Sequence, residues 1–250
     1  MMKRSAHPWS AIVALLMALT LSTLACEGSI GFRTIRGSGT ISEQSYEVDS
    51  VTDVEFATIG SLLIQIGETE QLRVEAEENL LEYIEVEVED GRLKISDREN
   101  VNLLPTRSVY FYLTLKELDT VRVSGLGNVR VPDVEASQFL IEISGGGNVA
   151  IDRVDADQIT VEISGLGNLS ITGGEVETQE VDISGGGNYQ ARGLESSRAD
   201  VALSGLGSAT LRVSDELDVT ITGGGAVEYV GSPTVRQDIS GVGHVKKIGD

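Results

Sequence analysis

A five-residue phrase recurs along the second half of the chain at a fixed interval, and that interval restricts the fold more than any other feature. SGLGN begins at Ser124, SGGGN at Ser144, SGLGN at Ser164, SGGGN at Ser184 and SGLGS at Ser204, each start 20 residues after the last. TGGGA at Thr222 and SGVGH at Ser240 follow at a slightly shorter, equal spacing. Before each phrase apolar residues alternate: Val121 and Val123, Ile141 and Ile143, Val161 and Ile163, Val181 and Ile183, Val201 and Leu203, Val219 and Ile221. A second alternating pair follows the phrase, as in Val129 and Val131, Val149 and Ile151, Leu169 and Ile171. Period two is the period of a strand, so each repeat reads as two short strands with a glycine corner between them.

A repeat this short cannot bury its apolar face alone and has no room for a crossover helix between parallel strands. Stacked coils meet both constraints. With like positions roughly 4.8 Å above one another, each coil's backbone pairs with its neighbours and the branched aliphatics form an internal column. The expected fold is all-β, a parallel β-helix or β-solenoid with coils of about 20 residues. The regular coils fill 121–250, and the seven phrases span roughly 29 Å of axis.

Between 46 and 120 the alternation is less regular, with Val54 and Phe56, Ile64 and Ile66, Val86 and Val88, Leu93 and Ile95, then Val109 to Leu115. This stretch is expected to start and cap the solenoid, making one continuous domain over 46–250. Asp90-Gly91 lies between two alternating runs and predicts a tight turn; Glu78 to Tyr83 predicts a short helical turn.

The corner phrase carries the candidate structural residues. Gly127, Gly147, Gly167, Gly187 and Gly207 recur where a corner is expected to demand positive φ. Asn128, Asn148, Asn168 and Asn188 share one register position and are expected to stack as an amide ladder, with Ser124, Ser144, Ser164, Ser184 and Ser204 doing likewise. The middle residue alternates through Leu126, Gly146, Leu166, Gly186 and Leu206, so that each leucine would cover the gap beside its glycine neighbour.

Charge and composition exclude several functions. With 39 acidic against 19 basic side chains the net charge is −20. No basic run offsets it, so phosphate backbones would be repelled and nucleic acid is not an expected partner. One cysteine cannot form an internal disulfide, and no cluster of cysteines and histidines offers metal ligands. The 29 glycines follow no triplet period and accompany only four prolines, which excludes collagen.

Residues 1–25 read as an export signal, with Lys3 and Arg4 preceding an apolar run from Ala11 to Leu21. That run is shorter than the roughly 20 residues a membrane-spanning helix needs, so cleavage is expected rather than permanent insertion. Ser22-Thr23-Leu24-Ala25-Cys26 resembles the bacterial lipoprotein signal, with Thr23 where leucine is commoner. The resemblance implies that Cys26 becomes the first mature residue and carries the lipid, so the protein is anchored to a membrane of the cell envelope without spanning it. The stretch 26–45, rich in glycine, serine and threonine, is expected to be a flexible tether.

The SGxGN phrases, the strands before them, the segment Val227-Glu228-Tyr229-Val230-Gly231-Ser232-Pro233 and the terminal SGVGH together resemble the head GIN domain, a family labelled "putative autotransporter adhesin". Val51 to Ser96 is similar to its amino-terminal part, and the match runs to about Ile248. The resemblance implies a right-handed β-helical exported domain, often lipid-anchored, with adhesion suggested by the label. It implies no catalytic residues.

His244 stands where other phrases have asparagine, with no serine or cysteine nucleophile matched to it. The glycine phrases lack the lysine and hydroxyl residue of a phosphate loop. Glu142, Glu162 and Asp182 are expected to form an outward acidic column, but calcium wants six to eight oxygen ligands, which a flat column does not supply. No catalytic, cofactor or metal site is expected. The expected function is a non-enzymatic, lipid-anchored surface domain for adhesion or scaffolding, contacting a macromolecular or envelope partner or further copies of itself as a homo-oligomer. An alternative is an envelope-stress sensor or accessory to a membrane signalling partner. A polysaccharide-processing β-helix enzyme is a third reading and would need a carboxylate groove.

Overall fold

The computed structural model describes residues 33–250; the expected export signal and Cys26 lie outside the described residues. Along Asn148–Ile163 the side chains of Val149, Ile151, Val154, Ile159, Val161 and Ile163 all point inward and are buried. The strands Asn128–Ile143 and Asn168–Ile183 flank it in parallel, each offset from it by one full repeat. Val149 sits between Val129 and Leu169, and Ile163 between Ile143 and Ile183. The result is a β-solenoid of stacked parallel coils, about six turns in all.

The register lapses at Asp152 and Asp157, so each regular coil has three straight runs rather than the two that the alternation predicts. The middle run is hard to see in sequence because its inward residue, Val154, has opposite parity to Val149 and Ile151, and the next inward residue is only Ala156. Inside, like residues stack into columns. Ile143, Ile163, Ile183, Leu203 and Ile221 follow one another in register, each no more than 1% exposed. Burying one such side chain contributes about 1.5–3 kcal/mol, repeated at every level of every column.

Where the coils shorten, with Arg198 aligned on Glu216, a polar cluster enters the core. The Tyr189 hydroxyl donates to Gln179 Oε1 (2.7 Å), Gln179 Nε2 donates to Ser196 Oγ (2.9 Å) and to the Arg212 carbonyl (3.2 Å), and Ser196 Oγ donates to that same carbonyl (2.8 Å). Burial raises the Tyr189 pKa, so the hydroxyl keeps its proton and serves as a donor. Because every member is satisfied, this buried polar group escapes the penalty of an unpaired one.

The amino-terminal part is not simply the first coil in sequence order. Asp53–Ala57 lies between Arg92–Asp97 and Thr120–Val123, parallel to both. Ser61–Ile66 likewise lies between Tyr110–Leu115 and the first run of Asn128–Ile143. The chain lays one coil, departs, returns beneath it, then resumes above it. The departure forms the cap: Ile84–Glu89 pairs antiparallel with Arg92–Asp97, Gln71–Glu77 with Tyr110–Leu115, and Ile41–Glu47 with Gln71–Glu77. As the sequence predicts, Asp90 and Gly91 make the tight turn, with φ of 49° and 79°, and a short helix, Glu78–Leu81, follows the Gln71–Glu77 strand.

The tether expected over 26–45 needs correction from Arg33 onward. Arg33–Arg36 is a strand paired with Val101–Leu104, and Ile41–Glu47 is the outer strand of the cap. Only Tyr46 is even half-buried in Ile41–Glu47, so an edge strand exposed on both faces has no apolar alternation to announce it.

Glu77 fastens this cap. Its side chain is fully buried and accepts hydrogen bonds from the Gly39 amide (2.6 Å), the Thr106 amide (2.7 Å) and hydroxyl (2.6 Å), and the Arg107 amide (3.3 Å). Burial works against the charge, yet these donors outweigh it and hold the carboxyl at about 2, against an ordinary 4.5. A depressed folded-state pKa contributes stability that is complete above 4.5 and is lost as pH falls from 4.5 through about 2. Glu77→Gln is therefore expected to lower the melting temperature at neutral pH and to flatten its fall across that acid window. Parallel pH profiles for the variant and the native chain would contradict this role.

Candidate functional site

The corner phrase is where the solenoid meets solvent most regularly, and its pattern follows from how closely the coils stack there. The Ile143 carbonyl accepts from the Ser164 and Gly165 amides, and the Gly145 carbonyl from the Leu166 and Gly167 amides. Coil-to-coil hydrogen bonding thus continues around the bend. A Cβ on Gly165 would lie 2.0 Å from the Gly145 oxygen, and one on Gly167 would lie 1.9 Å from the Gly147 oxygen. The first and last glycines of each phrase are required by this overlap with the coil below. The expectation of positive φ is corrected: none of Gly127, Gly147, Gly167, Gly187 and Gly207 is in the left-handed region. The middle position points outward, where leucine and glycine both fit.

Four columns run up this corner. Asn148 Nδ2 donates to Asn128 Oδ1 (2.9 Å), Asn168 Nδ2 to Asn148 Oδ1 (2.8 Å), Asn188 Nδ2 to Asn168 Oδ1 (2.8 Å) and Ser208 Oγ to Asn188 Oδ1 (2.7 Å). Each asparagine retains a second N–H for an outside partner. Ala226 and then His244 continue the same register position. The leucine column, Leu126, Leu166 and Leu206, stands at the apex, and the serine column runs along the other side.

Beside the serines lies the acidic column, Glu142, Glu162 and Asp182, aligned in register. Together with Ser144, Ser164 and Ser184 it lines a shallow groove of about 510 Å³. Sequence reasoning missed the residue that interrupts this row, below which Glu55 follows at the next level. Arg122 sits one level below Glu142, its Nε 2.5 Å from Glu142 Oε2 and its Nη1 3.1 Å from Asp53 Oδ2. Only the interleaved coil brings Asp53 there, 69 residues away in sequence. On the next outward row Glu180, Asp200 and Asp218 align; burial, then the Asp218 and Glu180 charges, raise the Asp200 carboxyl above its ordinary range.

The opposite flank differs. Outward from the strands beyond the ladder stand Arg130, Ala150, Ser170, Gln190 and Thr210 in one register row. The corner therefore divides an acidic flank from one whose row carries no carboxylate from Arg130 to Thr210, Glu228 being the first, one level above Thr210.

The groove supplies carboxylates, but Glu162 and Asp182 face water and Arg122 is already held by two acids, so no desolvated acid–base pair is formed. His244 is exposed at the end of the ladder register. Among the described residues no group of three or more histidine, cysteine, aspartate or glutamate side chains is placed to hold a metal ion, and no helix is long and apolar enough to cross a membrane.

No curated protein matches the sequence. Solved structures do match the fold. A putative adhesin from Bacteroides fragilis superposes with a TM-score of 0.81 at 23% identity, covering 86% of this chain and 100% of that one. A putative lipid binding protein from Parabacteroides distasonis gives 0.71 at 21%, with the same coverage, and a putative adhesin from Parabacteroides merdae gives 0.69 at 20%, covering 86% and 99%. Residues 51–233, which take in the interleaved coils and most of the corner columns, match the family described as "Putative auto-transporter adhesin, head GIN domain", and the chain belongs to that family.

Proposed function

We propose that the chain is a non-enzymatic, lipid-anchored domain of the cell envelope that works by adhesion or scaffolding, through broad contact between its solenoid faces and another macromolecule. One observation carries this reading: exposed side chains of one kind recur in register at the corner, giving long faces of repeated chemistry instead of convergent polar groups in a deep cavity. Such faces suit many weak, equivalent contacts, whereas small-molecule sites are concave and irregular. The family's description and the adhesin neighbours support the surface role, and the lipoprotein-like segment ending at Cys26 supports the anchor.

The test compares cells making the native chain with cells making Cys26→Ser and with cells making a Glu142→Ala, Glu162→Ala, Asp182→Ala variant. Cys26→Ser is expected to move the protein from the membrane to the soluble fraction. Adherence of the cells to surfaces or to other cells is expected to drop in that variant and to change in the acidic-column variant. Equal adherence in all three strains would refute the adhesive reading, and a Cys26→Ser protein that stays in the membrane would refute the anchor.

A further inference from the structure

The corner apex bears the most exposed large apolar side chains among the described residues: Leu126, Leu166, Leu206 and Val242 are 71%, 75%, 80% and 90% exposed. They occupy alternate coils, with Gly146, Gly186 and Gly224 at the same position between them. Each leucine leans toward the following coil, its Cδ2 3.0–3.1 Å from where a Cβ on that coil's glycine would be. At Gly146 and Gly186 nothing else comes within 4 Å of that point.

The ridge profile is therefore knob, notch, knob, notch, knob, notch, knob. Knobs repeat every two coils, about 9.6 Å, and the notches have the same period offset by one coil. A surface with this profile is complementary to itself. Turning a second copy about a two-fold axis between the levels of Leu166 and Gly186 sets Leu166 on the second copy's Gly186, Leu126 on its Gly224 and Leu206 on its Gly146. Six of the seven positions pair large with small, Val242 lying beyond the paired stretch, and the arrangement closes as a dimer rather than growing as a fibre. A uniform leucine column would offer no such register.

We propose that this ridge is a self-association surface and that the chain pairs with a second, antiparallel copy of itself through it. The ridge is about 29 Å long and roughly 10 Å wide, a footprint of about 300 Å² per copy against about 800 Å² for a standard stable interface. The pairing is accordingly weak and reversible. The two-fold axis also leaves both acidic columns, Glu142, Glu162 and Asp182, on the same side of the contact, so salt that screens their repulsion strengthens it. The inference is independent of the adhesive reading and of the anchor.

The test uses the full chain carrying Cys26→Ser, followed by sedimentation up to about 1 mM, where weak pairs populate. The expected result is a mass rising toward the dimer, more strongly in high salt. A chain that remains monomeric throughout overturns the proposal. The deciding variant is Gly146→Leu, Gly186→Leu, Gly224→Leu, which fills the notches while making the ridge more apolar. It is expected to pair at least about tenfold more weakly, because knobs then meet knobs; equal or stronger association overturns the register and shows indiscriminate apolar contact. Should that variant melt differently from the native chain, oxidation of an equimolar mixture of Leu166→Cys chains and Gly186→Cys chains decides, the two cysteines being kept on separate chains because 166 and 186 are neighbours within one copy. The mixture is expected to form disulfide-linked dimers joining one chain of each kind, and a mixture that gives no more of these than of dimers of either variant with itself overturns the proposal.

Discussion

Gly167→Val is expected to abolish the cooperative thermal transition of the solenoid. The new Cβ would lie 1.9 Å from the Gly147 carbonyl oxygen and 2.6 Å from Ile143 Cγ2, and the first of these is backbone that can move only if the coil below moves. That carbonyl belongs to a corner held by hydrogen bonds at every level, so relief at one coil separates two. The cost should exceed about 4–5 kcal/mol, the exceptional range for a single substitution, against a total stability of about 5–15 kcal/mol for a domain. Gly186→Val is the control: its Cβ meets only the tip of Leu166, at 3.1 Å, and should melt close to the native temperature. Circular dichroism melts of both variants check the pair, and equal melting of the two would remove the steric account of the corner.

Phe111→Ala is the second large effect, expected to cost about 3–5 kcal/mol through the cavity it leaves. Phe111 is fully buried in the coil that returns beneath the first one, and its ring meets Phe56 edge-on at 5.1 Å and 78°. Phe56 in turn lies against the first glycine corner, its Cε1 2.3 Å from where a Cβ on Gly127 would be. The aromatic pair thus joins the cap to the regular coils. A denaturation midpoint shifted down in the variant, with faster amide exchange in the cap strands, is the expected result; an unmoved midpoint would mean that the cap is held elsewhere.

The regular coils were legible in sequence because stacking makes one environment recur once in every repeat, and selection by that environment leaves the same residue behind. The glycine phrase, the inward isoleucines and the asparagine column could be placed from spacing alone. The reason for the glycines could not, since positive φ and a carbonyl of the next coil both exclude a side chain and leave the same letter. The cap was hidden for a different reason. Its order in space departs from its order in sequence, so the contacts of Asp53 with Arg122 and of Glu77 with Thr106 have no period to reveal them. Gln179 was silent as well, a polar residue in an aliphatic column whose partners, Tyr189, Ser196 and the Arg212 carbonyl, become visible only once three coils are stacked. The acidic column followed from alternation, whereas the arginine set between Glu142 and Glu55 did not.

Every column at the corner requires coils that stack in register, one level for each repeat. Paired spin labels on the outward row measure this directly, because Arg130, Ala150, Ser170, Gln190, Thr210 and Glu228 are successive partners in that row. In the Cys26→Ser chain, label pairs at Arg130 with Gln190 and at Arg130 with Glu228 should report about 14 Å and about 24 Å, three and five steps of roughly 4.8 Å. Distances that do not grow in proportion to the number of repeats crossed would contradict the stacked solenoid.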